Sequence, residues 1–185
     1  MSQSHLVPQQ MFLTKGVGRH REKLASFELA LRKAGIAAYN IVTVSSIFPP
    51  HCKIITKPAG LKQLSPGQIV FCVKSQAQTD EPHRLISASI GIARPTDPNE
   101  FGYLSEHHDY GRTDEEVGDY AEDLAAGMLA TTLGVTEFDV DESWDRKREL
   151  WKISDRVVKT RSMTQSAVGR KGVWTTVVAA AVLIV

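Results

Sequence analysis

What this chain of 185 residues lacks excludes several classes of protein. With only two cysteines, Cys52 and Cys72, it has neither a disulfide framework nor a four-ligand zinc site built from cysteine alone. Its 22 basic and 21 acidic residues leave a net charge of +1, which argues against nucleic acid as a partner. Its strongly apolar run, 177–185, is far shorter than the roughly 20 residues of a membrane-spanning helix. Because residues 1–10 also lack a secretory pattern, we expect a soluble, cytoplasmic protein without membrane contact.

The residues that are present predict one layered α+β domain over residues 1–185. Hydrophobic residues make up 42% of the chain, and no internal repeat divides it. Alternating or β-branched segments predict six or so strands. They lie near residues 11–14, 38–46, 69–73, 85–93, 102–106, 156–166 and 173–185. In the segment 85–93 the larger apolar residues fall on one face, and Ser87, Ser89 and Gly91 fall on the other.

Two amphipathic helices are predicted between these strands. The predicted apolar face of the first helix, 19–34, consists of Leu24, Phe27, Leu31 and Ala34. Gly35 is suited to its C-terminal cap. The second helix begins at Thr113, where Glu116 completes a capping box, and it ends at Gly134. Its predicted apolar face consists of Val117, Ala121, Leu124 and Met128. A charged, partly helical loop is predicted to follow over 138–151.

The run from Asn40 to Pro50 joins a β-branched strand to two serines and then to two prolines. A Ser-Ser pair by itself is common at the solvated end of a strand. Asn40 and Ser46 share a strand face, yet they lie about 20 Å apart if the strand is straight. If both serve one site, either the chain bends between them or neighbouring subunits supply different parts of that site.

This run resembles the pyruvoyl-dependent arginine decarboxylases. The resemblance extends to segments 27–31, 34–36, 87–93 and 102–106, and to the apolar C-terminus rich in small residues. It implies an αββα sandwich that forms a homotrimer, with its sites between subunits. It also implies self-cleavage between Ser45 and Ser46, which gives a β chain of residues 1–45 and an α chain of residues 46–185.

The resemblance also implies the cofactor and the catalytic residues. Attack by the Ser46 hydroxyl on the Ser45 carbonyl leads to cleavage, and Ser46 becomes a covalent pyruvoyl group that accepts electrons as CO2 leaves. Glu106 corresponds to the acid that supplies a proton afterwards, since an apolar setting can raise the pKa of a carboxylic acid. Asn40 is the third catalytic candidate. Taken alone, Glu106 would be interpreted as a glutamate in a surface loop.

The implied substrate is L-arginine, and a carboxylate is the natural partner of its guanidinium group. The resemblance places that role on Glu28, which borders the apolar face of the first helix. Glu28 keeps the charge of the family's aspartate and lengthens the side chain by one methylene. Leu31, Ile47 and Ser87 complete the implied substrate-binding set. The plainer interpretations are a surface charge for Glu28 and a sheet hydroxyl for Ser87.

Two other motifs are better explained without a ligand. The segment 106–109, Glu-His-His-Asp, lacks the spacing of a metal site, and adjacent histidines in a strand point to opposite faces. We therefore predict no metal. The segment 16–19, Gly-Val-Gly-Arg, lacks both a full dinucleotide fingerprint and a Walker lysine, so a turn before the helix is the better interpretation.

Two alternative functions stay open at this point. The chain could be a pyruvoyl decarboxylase of another amino acid, histidine, since those enzymes also cleave at a Ser-Ser bond. It could instead be an unprocessed, non-catalytic homologue that serves as an oligomeric binding subunit. The acidic Glu28 favours arginine, and the joint presence of Asn40, Ser45, Ser46 and Glu106 favours an enzyme.

Overall fold

The computed structural model of the chain describes residues 6–134, 144–145, 150–153 and 156–185. This part is a mixed α and β structure with two sheets and three helices, compatible with the predicted α+β class. The helices are α1 (Lys23–Ala34), α2 (Lys57–Leu61) and α3 (Asp114–Thr132). The strands are β1 (Gln10–His20), β2 (Asn40–Thr43), β3 (Ile47–Phe48), β4 (Lys53–Ile54), β5 (Ile69–Thr79), β6 (Leu85–Pro95), β7 (Gly102–Tyr110), β8 (Trp144–Asp145), β9 (Leu150–Ile153), β10 (Arg156–Val168) and β11 (Trp174–Ile184).

The apolar C-terminal segment forms the central strand of the first sheet, whose order is β2-β5-β11-β1-β4. β11 pairs antiparallel with both β1 and β5 along nearly its whole length. Residues Thr175–Leu183 are all buried, because sheet and helix cover the two faces of this strand. The predicted strand near 173–185 is confirmed.

The second sheet has the order β3-β7-β6-β10-β9-β8, and its pairs are antiparallel. The predicted alternation in β6 is confirmed. Ile90 and Ile92 pack into the core between the two sheets with Met11 and Leu13 of β1. On the opposite face, Gly91 lies against α3, where an added Cβ would stand 2.1 Å from the Ala121 carbonyl oxygen.

Each sheet carries one long helix on its outer face. α1 packs on β1 and β11 of the first sheet, whereas α3 packs on β6, β7 and β10 of the second. Separate apolar clusters fill the space under α1, the space between the sheets and the space under α3. The layers therefore follow one another as helix, sheet, sheet and helix.

The predicted apolar face of α1 is wrong in part. Leu24 is 78% exposed, and the fully buried residues of the helix are Ser26, Ala30 and Ala34. The cause lies in β1, where an added Cβ at Gly18 would stand 1.9 Å from the Ser26 carbonyl oxygen. Gly16 and Gly18 let the backbone of α1 approach the backbone of β1, so small side chains of the helix occupy the contact. The predicted turn at 16–18 is also wrong, since these residues lie within β1.

Helix α3 begins as predicted and buries a different face. The side chain of Thr113 accepts a hydrogen bond from the Glu116 N–H, and the Glu116 carboxylate accepts one from the Thr113 N–H, which confirms the capping box. Val117 and Ala121 are buried as predicted, but Leu124 is exposed. Alanines fill the remaining contact with the second sheet: Ala125, Ala126 and Ala130.

Only part of the predicted strand 38–46 is a strand, namely β2. The chain then bends, and β3, just beyond the predicted range, belongs to the other sheet. The predicted loop 138–151 lies largely outside the described residues, and β8 and the start of β9 fall within it. Among the described residues, no helix is long and apolar enough to cross a bilayer.

Candidate active site

The Ser-Ser pair lies where the chain passes from one sheet to the other. The Val44 N–H donates to the Cys72 carbonyl oxygen at 3.0 Å, which is the last contact with the first sheet. The Leu104 N–H donates to the Ser46 carbonyl oxygen at 2.8 Å, and this contact joins the second sheet. Ser45 is exposed between these two anchors. Because β2 and β3 are edge strands, the crossing lies at one open edge of the stacked sheets.

The backbone turns tightly at Ser46. The Ile47 N–H donates to the Ser45 carbonyl oxygen at 3.1 Å, a hydrogen bond between residues i and i+2 that defines a γ-turn. His51 and His83 are the described non-glycine residues with positive φ, so the turn at Ser46 is of the common inverse form. The Ser45 carbonyl oxygen thus accepts a hydrogen bond from the Ile47 N–H, while the Ser45 carbonyl carbon is bonded to the nitrogen of Ser46.

The Ser46 hydroxyl meets the carboxylate of Glu106. Ser46 Oγ donates to Glu106 Oε2 at 3.0 Å, although sixty positions separate the residues in sequence. The register of β7 on β6 places Glu106 opposite Ile90, on the sheet face that looks toward the first sheet. Its neighbour Ser105 points to the other face and donates to the Ala121 carbonyl of α3. Glu106 is exposed because β7 lies next to the edge strand β3.

Asn40 lies at the other end of β2 from the serines. It pairs with Ile69, and its side-chain amide donates to the Gly67 carbonyl at 2.7 Å. The bend after Thr43 does not bring Asn40 into hydrogen-bond contact with Ser46 within this chain. Asn40 is thus separate from the pair formed by Ser46 and Glu106 in one chain.

Glu28 and Leu31 lie on α1, and α1 covers the first sheet. Glu28 accepts a hydrogen bond from Arg32 Nε in an i,i+4 ion pair, and its side chain is 43% exposed. This carboxylate thus already holds a guanidinium group. Leu31 is half-buried against the apolar cluster under the helix. The structure does not bring Glu28 into contact with Ser46 of the same chain.

Ser87 and Ser89 are fully buried on the face of the second sheet that α3 covers. Ser87 Oγ donates to the Arg112 carbonyl at 3.0 Å, and Ser89 shares a hydrogen bond with Thr164 at 2.8 Å. Glu106 points to the opposite face of this sheet. Within this chain, Ser87 has the contacts of a sheet hydroxyl.

The Glu-His-His-Asp segment divides between the two faces of β7. His107 stacks on Tyr120 of α3 with ring centroids 4.6 Å apart, and its Nε2 lies 3.6 Å from Asp109. His108 is exposed on the other face, where its ring meets that of Tyr110 edge-on. Burial lowers the pKa of His107, and the charge of Asp109 opposes this shift. Across the described ranges, no group of three or more ligating side chains could hold a metal.

The two thiols are buried and unsuited to nucleophilic chemistry. Burial raises the pKa of Cys52 and of Cys72 to about 11, so both are protonated near neutral pH. Cys72 contributes its backbone carbonyl to the crossing instead. The roles of the Cys72 carbonyl and of the N–H groups of Ile47 and Leu104 were not predicted. Because every residue but proline has these groups, no side-chain pattern could have indicated them.

Comparison with known proteins identifies one family over nearly the whole chain. The family model described as pyruvoyl-dependent arginine decarboxylase matches residues 10–185. A probable pyruvoyl-dependent arginine decarboxylase of Chloroherpeton thalassium is 60% identical over 179 residues, covering 96% of this chain and 98% of the relative.

Two further relatives are similar over nearly their whole length. The pyruvoyl-dependent arginine decarboxylase of Nitrosopumilus maritimus is 56% identical over 181 residues, 97% of this chain and 98% of that protein. The enzyme of the same description from Methanococcoides burtonii is 51% identical over 180 residues, 97% of this chain and 99% of that protein.

We predict that His107→Gln reduces the sensitivity of the fold to acid. Because burial lowers the pKa of His107, the unfolded chain binds a proton that the folded protein does not as the pH falls below 6.5. Stability is therefore lost as the pH decreases through this range. The difference in Tm between about pH 7.5 and about pH 5 should be smaller in the variant than in the wild type.

His108→Gln is the matched control, since His108 lies on the exposed face of the same strand. It should keep the wild-type difference in Tm. Equal behaviour of the two variants would contradict the assigned role of burial at His107.

Proposed function

The chain belongs to the pyruvoyl-dependent arginine decarboxylase family, and on that premise we propose that it cleaves itself and converts L-arginine into agmatine and CO2. The cofactor of this family is a covalent pyruvoyl group, which in this chain would derive from Ser46. The hydrogen bond from Ser46 Oγ to Glu106 is the observation that carries the proposal. It joins the hydroxyl needed for cleavage to the carboxyl needed for turnover.

Cleavage would begin with attack of Ser46 Oγ on the carbonyl carbon of Ser45. The hydroxyl loses its proton, the C–N bond between the residues breaks, and the freed nitrogen gains a proton, which leaves an ester on the Ser46 side chain. The Ile47 N–H, 3.1 Å from the Ser45 oxygen, would stabilise the negative charge that develops there. Glu106 would orient the attacking hydroxyl through the 3.0 Å hydrogen bond.

The ester then supplies a good leaving group. In the elimination, residue 46 would lose its Cα proton and its Cβ–O bond would break, which releases residues 1–45 with a C-terminal carboxylate and leaves a dehydroalanine. The imine tautomer of this residue would add water at Cα and lose ammonia, which leaves the pyruvoyl group. Residues 46–185 would carry that group at their N-terminus. The surroundings of Ser46 fit this product, because the half-buried serine lies at an exposed edge with a carboxylate beside it.

Glu106 would have a second role during turnover. When present, the pyruvoyl group supplies an electron-accepting carbonyl for the electrons left behind as CO2 departs. A proton must then return to the substrate carbon. The carboxyl of Glu106, adjacent to the side chain of Ser46, is positioned to hold that proton.

Glu28 would bind the guanidinium group of arginine, with Leu31 packing beside the substrate. The ion pair with Arg32 supports this, because it places a guanidinium group on the same carboxylate. Substrate arginine would displace the Arg32 side chain, which is 69% exposed and free to move into solvent. An imidazole ring lacks the forked donors of a guanidinium group, so the pair favours arginine over histidine.

The active site would form between subunits of a homotrimer built from single αββα domains. Ser46 lies at the open edge between β2 and β3, and Val42 and Ile47 on these strands are each 41% exposed. A second copy of the chain covering this edge would bury both. It could also supply Glu28 and Asn40, which lie apart from Ser46 in one chain, whereas Ser87 is buried beneath α3. Ile47 would then line the pocket next to the cofactor.

Ser46→Ala should leave one full-length chain without decarboxylase activity, since the variant lacks the attacking oxygen. Ser45→Ala is the matched control, because it keeps the scissile carbonyl and should still be cleaved. Intact-mass measurement separates the outcomes, since uncut protein and two fragments differ greatly in mass. Normal fragments from Ser46→Ala would rule out the proposed mechanism.

The Glu106→Gln protein should still cleave itself, but it should decarboxylate arginine slowly. Its amide oxygen can still accept the hydrogen bond from Ser46, but the amide cannot deliver a proton, so kcat should fall by about 10²–10⁴-fold. Asp109→Asn removes a carboxylate from the opposite face of the same strand and should keep most of the activity. Undiminished turnover by fully cleaved Glu106→Gln would place the acid elsewhere.

Glu28→Gln should raise KM for arginine while Ser46 still matures. If the subunit interface buries the pair, loss of the charged partner of a guanidinium group costs about 2–5 kcal/mol, so kcat/KM should fall at least tenfold. Arg32→Gln removes the competing internal guanidinium and keeps the carboxylate, so KM should not rise. The kcat/KM values for arginine, lysine and histidine give the comparison.

Subunit complementation tests the shared site directly. Co-expressed Ser46→Ala and Glu28→Gln chains should regain activity in mixed oligomers if Ser46 and Glu28 of different chains meet. A wild-type preference for histidine, or unchanged kcat/KM in Glu28→Gln, would contradict the assigned role of Glu28.

A further inference from the structure

A cavity of about 340 Å³ lies at the hairpin end of the sheets, and none of the candidate active-site residues lines it. It is lined by basic side chains from three parts of the chain: Arg19, His83, Arg170 and Lys171. The other lining residues are Pro82, Val168 and Gly169, so no acidic side chain contributes to the wall. Such a concentration of one charge is unusual in a chain whose net charge is +1.

Backbone contacts fix the shape of this cavity. The β5–β6 hairpin meets the β10–β11 hairpin, where the His83 N–H donates to the Gly169 carbonyl at 2.9 Å and the Gly169 N–H donates to the Arg84 carbonyl at 2.8 Å. An added Cβ at Gly169 would stand 2.1 Å from the Glu81 carbonyl oxygen, so the glycine permits this contact. The basic side chains therefore project from a preformed wall.

Arg19 has an unmet hydrogen-bonding group at this cavity. Its Nε is buried without a partner, and its Nη2 reaches the Val168 carbonyl at 3.5 Å. Burial and the charge of Arg170 lower the pKa of Arg19, because both disfavour the charged guanidinium. A buried donor without an acceptor is costly, and a bound anion would satisfy it while relieving the repulsion between the arginines.

Three arginines of the described residues have carboxylate partners, among them Arg84 and Arg32. Arg84 pairs with Glu81, and Arg32 pairs with Glu28. Within the described ranges, Arg19, Arg170 and Lys171 form no ion pair. Glu81, which precedes Pro82 of the cavity wall, is already paired with Arg84.

We propose that this cavity binds a phosphate-type oxyanion, either free or as part of a small phosphorylated molecule. Two guanidinium groups and an ammonium group present more positive charge than one carboxylate can neutralise. A phosphate group carries nearly two negative charges and offers oxygens on several sides, which matches donors arriving from three segments. The volume exceeds the need of phosphate alone and leaves room for a small attached group.

The proposal is tested by ligand-dependent thermal unfolding of the purified protein, with all 185 residues present whether or not the chain is cleaved. Inorganic phosphate, ribose 5-phosphate and citrate are each titrated at an ionic strength held constant with KCl. A saturable rise in Tm is expected with the first two ligands, since a ligand that binds only the folded protein stabilises it. Tighter binding of ribose 5-phosphate assigns the site to a phosphorylated molecule, and equal binding assigns it to free phosphate.

Variants locate the binding. Arg19→Gln combined with Arg170→Gln should weaken phosphate binding at least tenfold. Lys53→Gln combined with Lys159→Gln removes the same charge from another cavity, whose wall also contains Asp97 and Glu100, and should change binding less than twofold. Should the arginine variant fail to fold, Lys171→Gln alone should weaken binding by about threefold, because an exposed lysine contributes one weaker contact.

Three outcomes would overturn the proposal. The first is a rise in Tm no larger than that with KCl. The second is a response to citrate without one to phosphate, and the third is equal affinity in the arginine and lysine double variants. Decarboxylase activity is not the readout, so a failure here is distinct from a failure of the proposed function.

Discussion

The passage of the backbone from one sheet to the other within a few residues is the constraint on which the candidate site depends. Val44 is bonded to the first sheet through Cys72, and Ser46 is bonded to the second through Leu104. The peptide between Ser45 and Ser46 is therefore held from both sides by strands that the common core fixes. Because each such hydrogen bond adds only about 1 kcal/mol, the packing of the two sheets, more than these bonds, determines its position.

The same packing decides which side chain meets Ser46. β7 pairs with β6 so that Glu106 lies opposite Ile90, whose side chain belongs to the core between the sheets. A shift of one residue would turn Glu106 toward α3 and bring His107 to the serine, since strand side chains alternate between faces. The burial of Leu104 of β7 in the core between the sheets opposes that shift, because the shift would turn this side chain out of the core. An apolar pattern thus specifies the position of a carboxylate in the candidate site.

The sequence predicted the elements governed by local rules and missed those governed by distant contacts. Alternation revealed β6 and the apolar run revealed β11, while the capping box marked the start of α3. The apolar face of α1 was misassigned, because the contact depends on glycines in β1 that the helical period does not reveal. The bend after Thr43 stayed one of two open alternatives, for no glycine or proline marks it. Only the family resemblance joined Ser46 to Glu106 across sixty positions.

The open edge at β2 and β3 limits how a second subunit could complete the site. Edge strands of four and two residues offer too little unpaired backbone for continuous pairing with another sheet. A neighbouring chain would therefore contact this edge mainly through side chains, covering Val42 and Ile47. Contact of that kind leaves the backbone turn at Ser46 unchanged while it brings new polar groups to it. The cleavage reaction would then need residues of one chain only, whereas substrate recognition would need residues of two chains.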